Sequence, residues 1–405
     1  MAILDVIKNE IAGKSTPNLS EDQIPKILDE IFTAAIGKHA SDIHFKPIED
    51  KFAVYFRIDG QMIKHAEFEA SFQHPLVARI KIISGLKIDE HRLPQDGKSS
   101  FTIAQTDVDL RVSILPTSYG EKVVIRLLEK NPKLVKLSDL GMLPNVLLKV
   151  RKSLNKSYGM ILAVGPTGSG KSTSLFSMIS TFDATASNIS TLEDPIEYKI
   201  PNVTQSQINT EIGFDFSDGL RTLVRQDPDI IMVGEIRDQK TASLAVESAL
   251  TGHLVFSTLH TNTAVGTIQR LLNMGIDRFL IAAAVKVIIS QRLARKVCNY
   301  CRKKISVPKK YQILFREAGI QFENAFLYQA TGCEHCNQTG YRGRIALFEV
   351  LEVSPNLEEM IIQNASSAAI QKAAIEEGMV ELRQDALFKA ITGDITIEEA
   401  LRVIN

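Results

Sequence analysis

Gly165-Pro166-Thr167-Gly168-Ser169-Gly170-Lys171-Ser172 decides the fold. The apolar run Met160 to Val164 precedes it and a helical pattern starts near Lys171, which is the strand, loop and helix context that a Walker A phosphate loop requires. Glycines let such a loop curl until its backbone N–H groups converge on phosphate oxygens, and the helix amino terminus adds positive potential there. On this reading Gly165, Pro166, Thr167, Gly168, Ser169, Gly170, Lys171, Ser172 and Thr173 cradle ATP. Lys171 contacts the β- and γ-phosphates, and the Ser172 hydroxyl ligates Mg²⁺. A glycine-rich turn with a chance lysine is the other reading, and it gives no reason for the flanking strand and helix.

Outward from the loop, the short apolar stretches Ile189 to Leu192, Ile230 to Val233 and Leu254 to Ser257 alternate with helical segments. That alternation predicts a largely parallel sheet. Ile230-Ile231-Met232-Val233-Gly234-Glu235 has the form of a Walker B strand, so Glu235 is expected to hold Mg²⁺, through water, at the carboxyl edge of the sheet. A core strand that merely ends in a surface glutamate reads the same way on its own. Glu193-Asp194-Pro195-Ile196-Glu197 follows another apolar strand, and Glu193 is the candidate base for an attacking water. The alternative for that stretch is an acidic turn capping the next segment.

Upstream the pattern differs. Ile24, Ile27, Leu28, Ile31 and Phe32 recur with the period of a helix that buries one face, over Glu21 to Ala35. Ser41 to Phe45 and Phe52 to Ile58 alternate as a hairpin does, and Asp59-Gly60 supplies the following turn. A helix over Pro75 to Ser84 and β-like runs Ser99 to Ala104, Val108 to Leu115 and Lys122 to Leu128 complete a small α+β domain. The expected organisation is a flexible arm, 1–20; the α+β domain, 21–130; a connection, 131–144; and the ATPase domain, 145–405.

Composition narrows the function classes. At 405 residues the chain exceeds what one core usually serves. Lys plus Arg and Asp plus Glu each total 47, so no global basic field exists to hold nucleic acid or an anionic membrane. No stretch reaches the ~18 apolar residues of a membrane span; even the run Phe279 to Ile289 contains Lys286. Met1 to Glu10 carries acidic residues and no long apolar run, which argues for a cytosolic protein. All four cysteines fall in two pairs, Cys298-x-x-Cys301 and Cys333-x-x-Cys336, a four-thiolate set suited to tetrahedral Zn²⁺; a redox dithiol pair is the competing reading.

Together these stretches resemble the type II secretion and type IV pilus assembly ATPase family, over residues about 22 to 405. The resemblance rests also on Lys81-Ile82-Ile83-Ser84-Gly85-Leu86-Lys87-Ile88-Asp89-Glu90, on Arg92-Leu93-Pro94-Gln95-Asp96-Gly97, on Thr191 to Tyr198 as an Asp box, and on Leu220 to Asp229 leading into Gly234-Glu235-Ile236-Arg237-Asp238. Thr251-Gly252-His253 and Ser257-Thr258-Leu259-His260-Thr261-Asn262 look like the His box. What it implies is a RecA-like P-loop ATPase domain behind a smaller N-terminal α+β (PAS-like) domain, with a C-terminal zinc-binding subdomain in a module over 296–345 and closing helices over 350–405. ATP, Mg²⁺ and Zn²⁺ are the implied cofactors. Arg111 and Arg126 would reach the γ-phosphate, and Arg221 and Arg225 would face the nucleotide, where planar guanidinium donors stabilise charge developing on phosphoryl oxygens. For each, a solvated surface charge is the plain alternative. His260 would sense or orient the γ-phosphate, with His253 a weaker candidate; a packing role is the alternative for either.

The family resemblance further implies a homohexameric ring that drives pilus assembly or protein secretion through a polytopic inner-membrane platform protein. A membrane-associated cytoplasmic adaptor is a further implied partner. The expected location is cytoplasmic, peripheral at the inner membrane, with no nucleic acid bound. The zinc module points to the extension or secretion branch and away from retraction motors. A nucleotide-dependent assembly scaffold and a DNA-uptake pseudopilus ATPase are the rival functions. Many members carry a further N-terminal docking domain; only about 20 residues precede the first helix here.

Overall fold

The computed structural model describes residues 23–103, 106–129, 134–322 and 324–404. The expected arm, 1–20, lies outside them, as do 131–133 of the expected connection. The chain divides into two units, Met1–Pro132 and Lys133–Asn405.

In the first unit, helix α1 (Gln23–Gly37) buries Ile24, Ile27, Leu28, Ile31, Phe32 and Ala35, the positions its 3.6-residue period predicts. Strands β1 (Ala40–Ile48), β2 (Lys51–Ile58), β3 (Gln61–Glu69), β4 (Gln95–Ile103), β5 (Thr106–Thr117) and β6 (Gly120–Glu129) form one antiparallel sheet in the order β3-β2-β1-β6-β5-β4. The Asp59-Gly60 turn joins β2 to β3 as expected. Helix α2 (Gln73–Ile83) and α1 cover the apolar face. Along β5 the residues Val108, Leu110, Val112 and Ile114 are buried. Alternation therefore turns Arg111 to the opposite face, where register places it beside Arg126 of β6, and Arg126 beside Asp42 of β1.

In the second unit, β7 (Gly159–Val164), β8 (Ile189–Glu193), β9 (Thr204–Gln207), β10 (Ile230–Val233), β11 (Leu254–Leu259), β12 (Val285–Val297) and β15 (Tyr341–Glu352) build a seven-stranded sheet, order β15-β12-β7-β11-β10-β8-β9. Every pairing is parallel except β12 with β15. Strands β7, β10 and β11 are buried throughout, which is why they read as unbroken apolar runs. Met160, Leu162 and Val164 join the core on one face, and Ile161 and Ala163 the core on the other. The first face is covered by α5 (Phe216–Leu223), α6 (Gln239–Leu250), α7 (Ala264–Asn273) and α8 (Arg278–Ala284); the second by α3 (Pro144–Leu154) and α4 (Lys171–Ile179). Within the expected connection, Leu137 and Leu140 are buried in this second core. The apolar run at 279–289 is divided between α8 and the start of β12.

The far ends of β12 and β15 project into a smaller cluster with α9 (Lys309–Glu317), the pair β13 (Lys303–Ser306) and β14 (Phe326–Gln329), and the late helices. Of those, α10 (Pro355–Ile362) and α11 (Ser367–Glu376) join the main core, while α12 (Leu382–Thr392) and α13 (Ile397–Ile404) close the cluster.

Candidate nucleotide site and cysteine centre

Parallel strands deliver their carboxyl ends to one edge of the sheet, so residues just past β7, β8, β10 and β11 meet there although they are distant in sequence. After Val164 the chain turns at Gly165 with φ +147°, and a Cβ at that position would come within 2.5 Å of the Gln291 carbonyl oxygen. Gly170, at φ +89°, starts α4, and its absent Cβ leaves room for the Gln291 amide 2.8 Å away. Only glycine reconciles those angles with that approach. No acidic residue stands in the first turn of α4, so its amide donors and dipole are free for an anion.

Lys171 is buried, and its Nζ donates to the carbonyls of Gly165 at 2.9 Å and Pro166 at 3.1 Å. Burial pushes its ammonium below the usual lysine range, the nearby Glu235 opposes that shift, and Arg292 adds to it. The Ser169 hydroxyl is buried without a hydrogen-bond partner among the described residues. A buried orphan hydroxyl beside the amino end of a helix suits acceptor oxygens, and the loop therefore fits a phosphate. Ser172 is half-buried on the first turn of α4, and Thr173 lies 3.4 Å from the Tyr198 hydroxyl.

At the end of β10, Gly234 donates its amide to the Leu192 carbonyl at 2.8 Å, and Thr258 Oγ1 donates to the Gly234 carbonyl at 2.8 Å. Glu235 is thus fixed between β8 and β11. Its carboxylate pairs with Arg237 at one oxygen and lies 3.6 Å from His260 Nε2 at the other. Glu193, closing β8, is 3 % exposed. It accepts from Thr191 Oγ1 at 2.6 Å and Gln205 Nε2 at 2.9 Å. Burial raises its carboxyl above the ordinary range, against the pull of those two donors.

Lys171, Glu235, His260 and Glu193 thus share the carboxyl edge with the loop Gly165 to Thr173. Other expected residues are placed elsewhere. Arg225 precedes Gln226 and Asp227, whose carbonyls accept from Asn188 beside the amino ends of β8 and β10. Arg221 stands one turn before it, exposed, 3.6 Å from Asp218. Arg221 lies in α5 and Arg225 in the 3-10 turn Val224–Gln226 that follows it. His253 likewise precedes β11, with Nδ1 2.9 Å from the Ser248 carbonyl. In the first unit, Arg126 Nε donates to Asp42 Oδ1 at 3.0 Å.

Sequence reading passed over the residues that brace this edge. Gln291 Oε1 accepts from Ser174 at 2.8 Å, and Glu349 Oε1 accepts the Ala264 amide at 2.8 Å. Burial raises the Glu349 carboxyl, while the amides of Ala264 and Leu382, at the starts of α7 and α12, draw it down. Both residues sit in strands whose pairing is non-local, so no periodicity marked them.

The four cysteines converge from two turns. Cys298 and Cys333 sulfurs are 3.9 Å apart, Cys301 and Cys336 3.9 Å, and Cys333 and Cys336 3.7 Å. Thiolates about 2.3 Å from a tetrahedral zinc stand about 3.8 Å from one another, so the set has the edge lengths of such a site. The amides of Cys333 and Gly340 donate to Cys336 Sγ at 3.2 and 3.1 Å. Burial pushes that thiol up, but these donors and the neighbouring cysteines outweigh it and hold it below its ordinary value.

A doubly wound parallel sheet with a glycine loop, a lysine and two acids at its carboxyl edge defines a P-loop ATPase. The family model described as "Type II/IV secretion system protein" matches residues 18–402, and the chain belongs to that family. It is 42% identical to the type IV pilus assembly ATPase PilB of Myxococcus xanthus, over 97% of this chain and 71% of that protein. It is equally 42% identical to the type II secretion system ATPase E of Vibrio cholerae, over 95% of this chain and 76% of that one. Among solved structures, the pilus retraction motor PilT with bound ADP is similar at TM-score 0.60 and 27% identity, over 92% of this chain and 96% of that chain. No helix among the described residues is long and apolar enough to cross a membrane.

Proposed function

We propose that this chain is the ATP-hydrolysing motor of a pilus assembly or type II secretion machine, and that the carboxyl edge of its parallel sheet is where hydrolysis occurs. Lys171 and the amides from Gly165 to Thr173 bind the phosphates, Ser172 and Glu235 hold Mg²⁺, and Glu193 accepts the proton of the attacking water. Mg²⁺ held there would supply charge neutralisation to the phosphates. His260 reads the γ-phosphate through its place beside Glu235. The juxtaposition of Lys171, Glu235, His260 and Glu193 carries this reading.

Arg111, Arg126, Arg221 and Arg225 are proposed as the cations that stabilise charge on the nucleotide's phosphates. The exposure of Arg126, Arg221 and Arg225, and the place of Arg225 near the amino ends of β8 and β10, favour service to another site over a role beside Lys171. A homohexamer would provide such a site. Zinc held by Cys298, Cys301, Cys333 and Cys336 locks the module between β12 and β15. The motor is proposed to work from the cytoplasmic side against a polytopic inner-membrane platform protein, joined by a membrane-associated adaptor.

Steady-state ATP hydrolysis by purified wild-type protein, Lys171→Ala and Glu235→Gln tests the assignment. Turnover is expected in the wild type and loss by at least about a hundredfold in both variants. Equal rates in all three would discard the site.

A further inference from the structure

Strand β12 does not stop where its neighbour β7 does. Ser290 pairs with Val164, the last residue of β7, so Gln291 and Arg292 continue past the edge beside the phosphate loop. Their side chains alternate. Gln291 turns to Ser174 of α4, whereas Arg292 turns with Ser290 toward the loop after β11. Arg292 Nη2 donates to the Asn262 carbonyl at 3.0 Å, with Asn262 Oδ1 3.4 Å away, and Ser290 Oγ reaches the same carbonyl at 3.3 Å. Arg292 Nη1 donates to the Gln291 carbonyl at 3.2 Å. That oxygen is the one a Cβ on Gly165 would strike at 2.5 Å, and Nη1 itself stands 3.3 Å from the same imagined atom.

One guanidinium therefore lies across the start of the phosphate loop and the loop that carries His260. The far side of this second loop is held too, because Glu349 accepts the amide of Ala264 two residues beyond Asn262. A carbonyl held by a cation and an amide held by a carboxylate fix Asn262 to Ala264, and His260 lies in the short stretch between that anchored segment and the end of β11 at Leu259.

We propose that Arg292 is a positioning residue for ATP hydrolysis: by fastening Asn262 to β12 where that strand passes the start of the phosphate loop, it sets where His260 stands relative to Glu235 and the γ-phosphate. This rests on the hydrolytic role given above to the same edge. The residue type follows from the geometry. Arg292 reaches the Gln291 and Asn262 carbonyls from two different nitrogens of one rigid plane, Nη1 and Nη2, a spread that the single nitrogen of an ammonium does not offer.

Arg292→Met keeps the aliphatic stem and removes the fork. We expect kcat to fall about tenfold or more, KM for ATP to change less than about threefold, and MgADP affinity by calorimetry to stay at the wild-type value. Arg292→Lys should recover part of kcat. His260→Ala added to Arg292→Met should cost less than about twofold beyond the single change, since the two act through one loop. Wild-type kcat in Arg292→Met, an equal loss of MgADP affinity, or independent multiplying losses in the double variant would each overturn the inference. Should the Met variant not fold, the Lys variant alone decides: full kcat with a single nitrogen removes the case for the fork. Absence of wild-type turnover would instead strike the hydrolytic reading itself.

Discussion

Gln205 donates through Nε2 to Glu193 Oε1 at 2.9 Å, reaching from β9 to the end of its parallel neighbour β8. Thr191 donates to the same oxygen, and the Glu197 amide is a further donor to this carboxylate. These bonds favour the ionised form, while burial, the larger effect, raises the carboxyl. A base must be deprotonated to work, so turnover rises with pH through this raised value. Gln205→Ala removes a donor to the anion and should move the acidic limb of the pH–rate profile to higher pH, with the plateau kcat kept within about twofold. An unmoved limb would detach Glu193 from the chemistry.

Burial of Glu193 also bears on stability. A carboxyl whose folded value lies above its unfolded one holds its proton longer in the native state, so stability is lost as pH rises from the unfolded value through the folded one. At neutral pH the native protein bears that cost. Glu193→Gln keeps both side-chain hydrogen bonds, removes the charge, and should melt higher than wild type at pH 7 while turnover falls by about 10²-fold or more. Parallel thermal melts at pH 5 and pH 7 check this: the gain should shrink at the lower pH.

Gly165→Ala tests the close approach at the loop. With φ +147° and the Gln291 carbonyl 2.5 Å from the new Cβ, the backbone has to shift, at a cost of about 1–3 kcal/mol. ATP affinity measured by calorimetry should drop, whereas Gly168→Ala, which meets no atom within 4 Å, carries only the strain of its own φ and should lose less.

For the cysteine centre, elemental analysis should find one zinc per chain. Structural zinc contributes on the order of 10–16 kcal/mol of binding free energy in small modules. Cys336→Ser, or a strong chelator, should therefore raise hydrogen exchange across 298–343 while leaving β7 and β11 protected. Exchange that is unchanged after demonstrated metal loss would make the site dispensable to folding.

Lys389 and Asp385 form a buried ion pair at 2.6 Å, with the same carboxylate oxygen taking the Phe348 amide and the ammonium donating to the Ala346 carbonyl. Removing one partner strands the other. Lys389→Met should destabilise by about 3–5 kcal/mol, and Asp385→Leu in the same chain should restore most of it. Denaturant unfolding of the single and double variants measures both.

The sequence alone determined whatever is local. The glycine pattern of 165–170, the buried strands β7, β8, β10 and β11, and the face of α1 follow from backbone permissiveness and apolar period, and each is visible within a dozen residues. The two Cys-x-x-Cys pairs are similarly plain. Tertiary structure decided what depends on register between distant strands. Gln291 and Arg292 read as ordinary polar residues ahead of Cys298 until β12 is seen to overrun β7, and Gln205 gains its place only when β9 pairs with β8. Arg225 and His253 adjoin apolar strands just as Glu235 and His260 do, but they stand at the amino ends, so the sheet's direction sends them to the opposite edge. Strand polarity and register are set by packing of the whole sheet, which no single segment encodes.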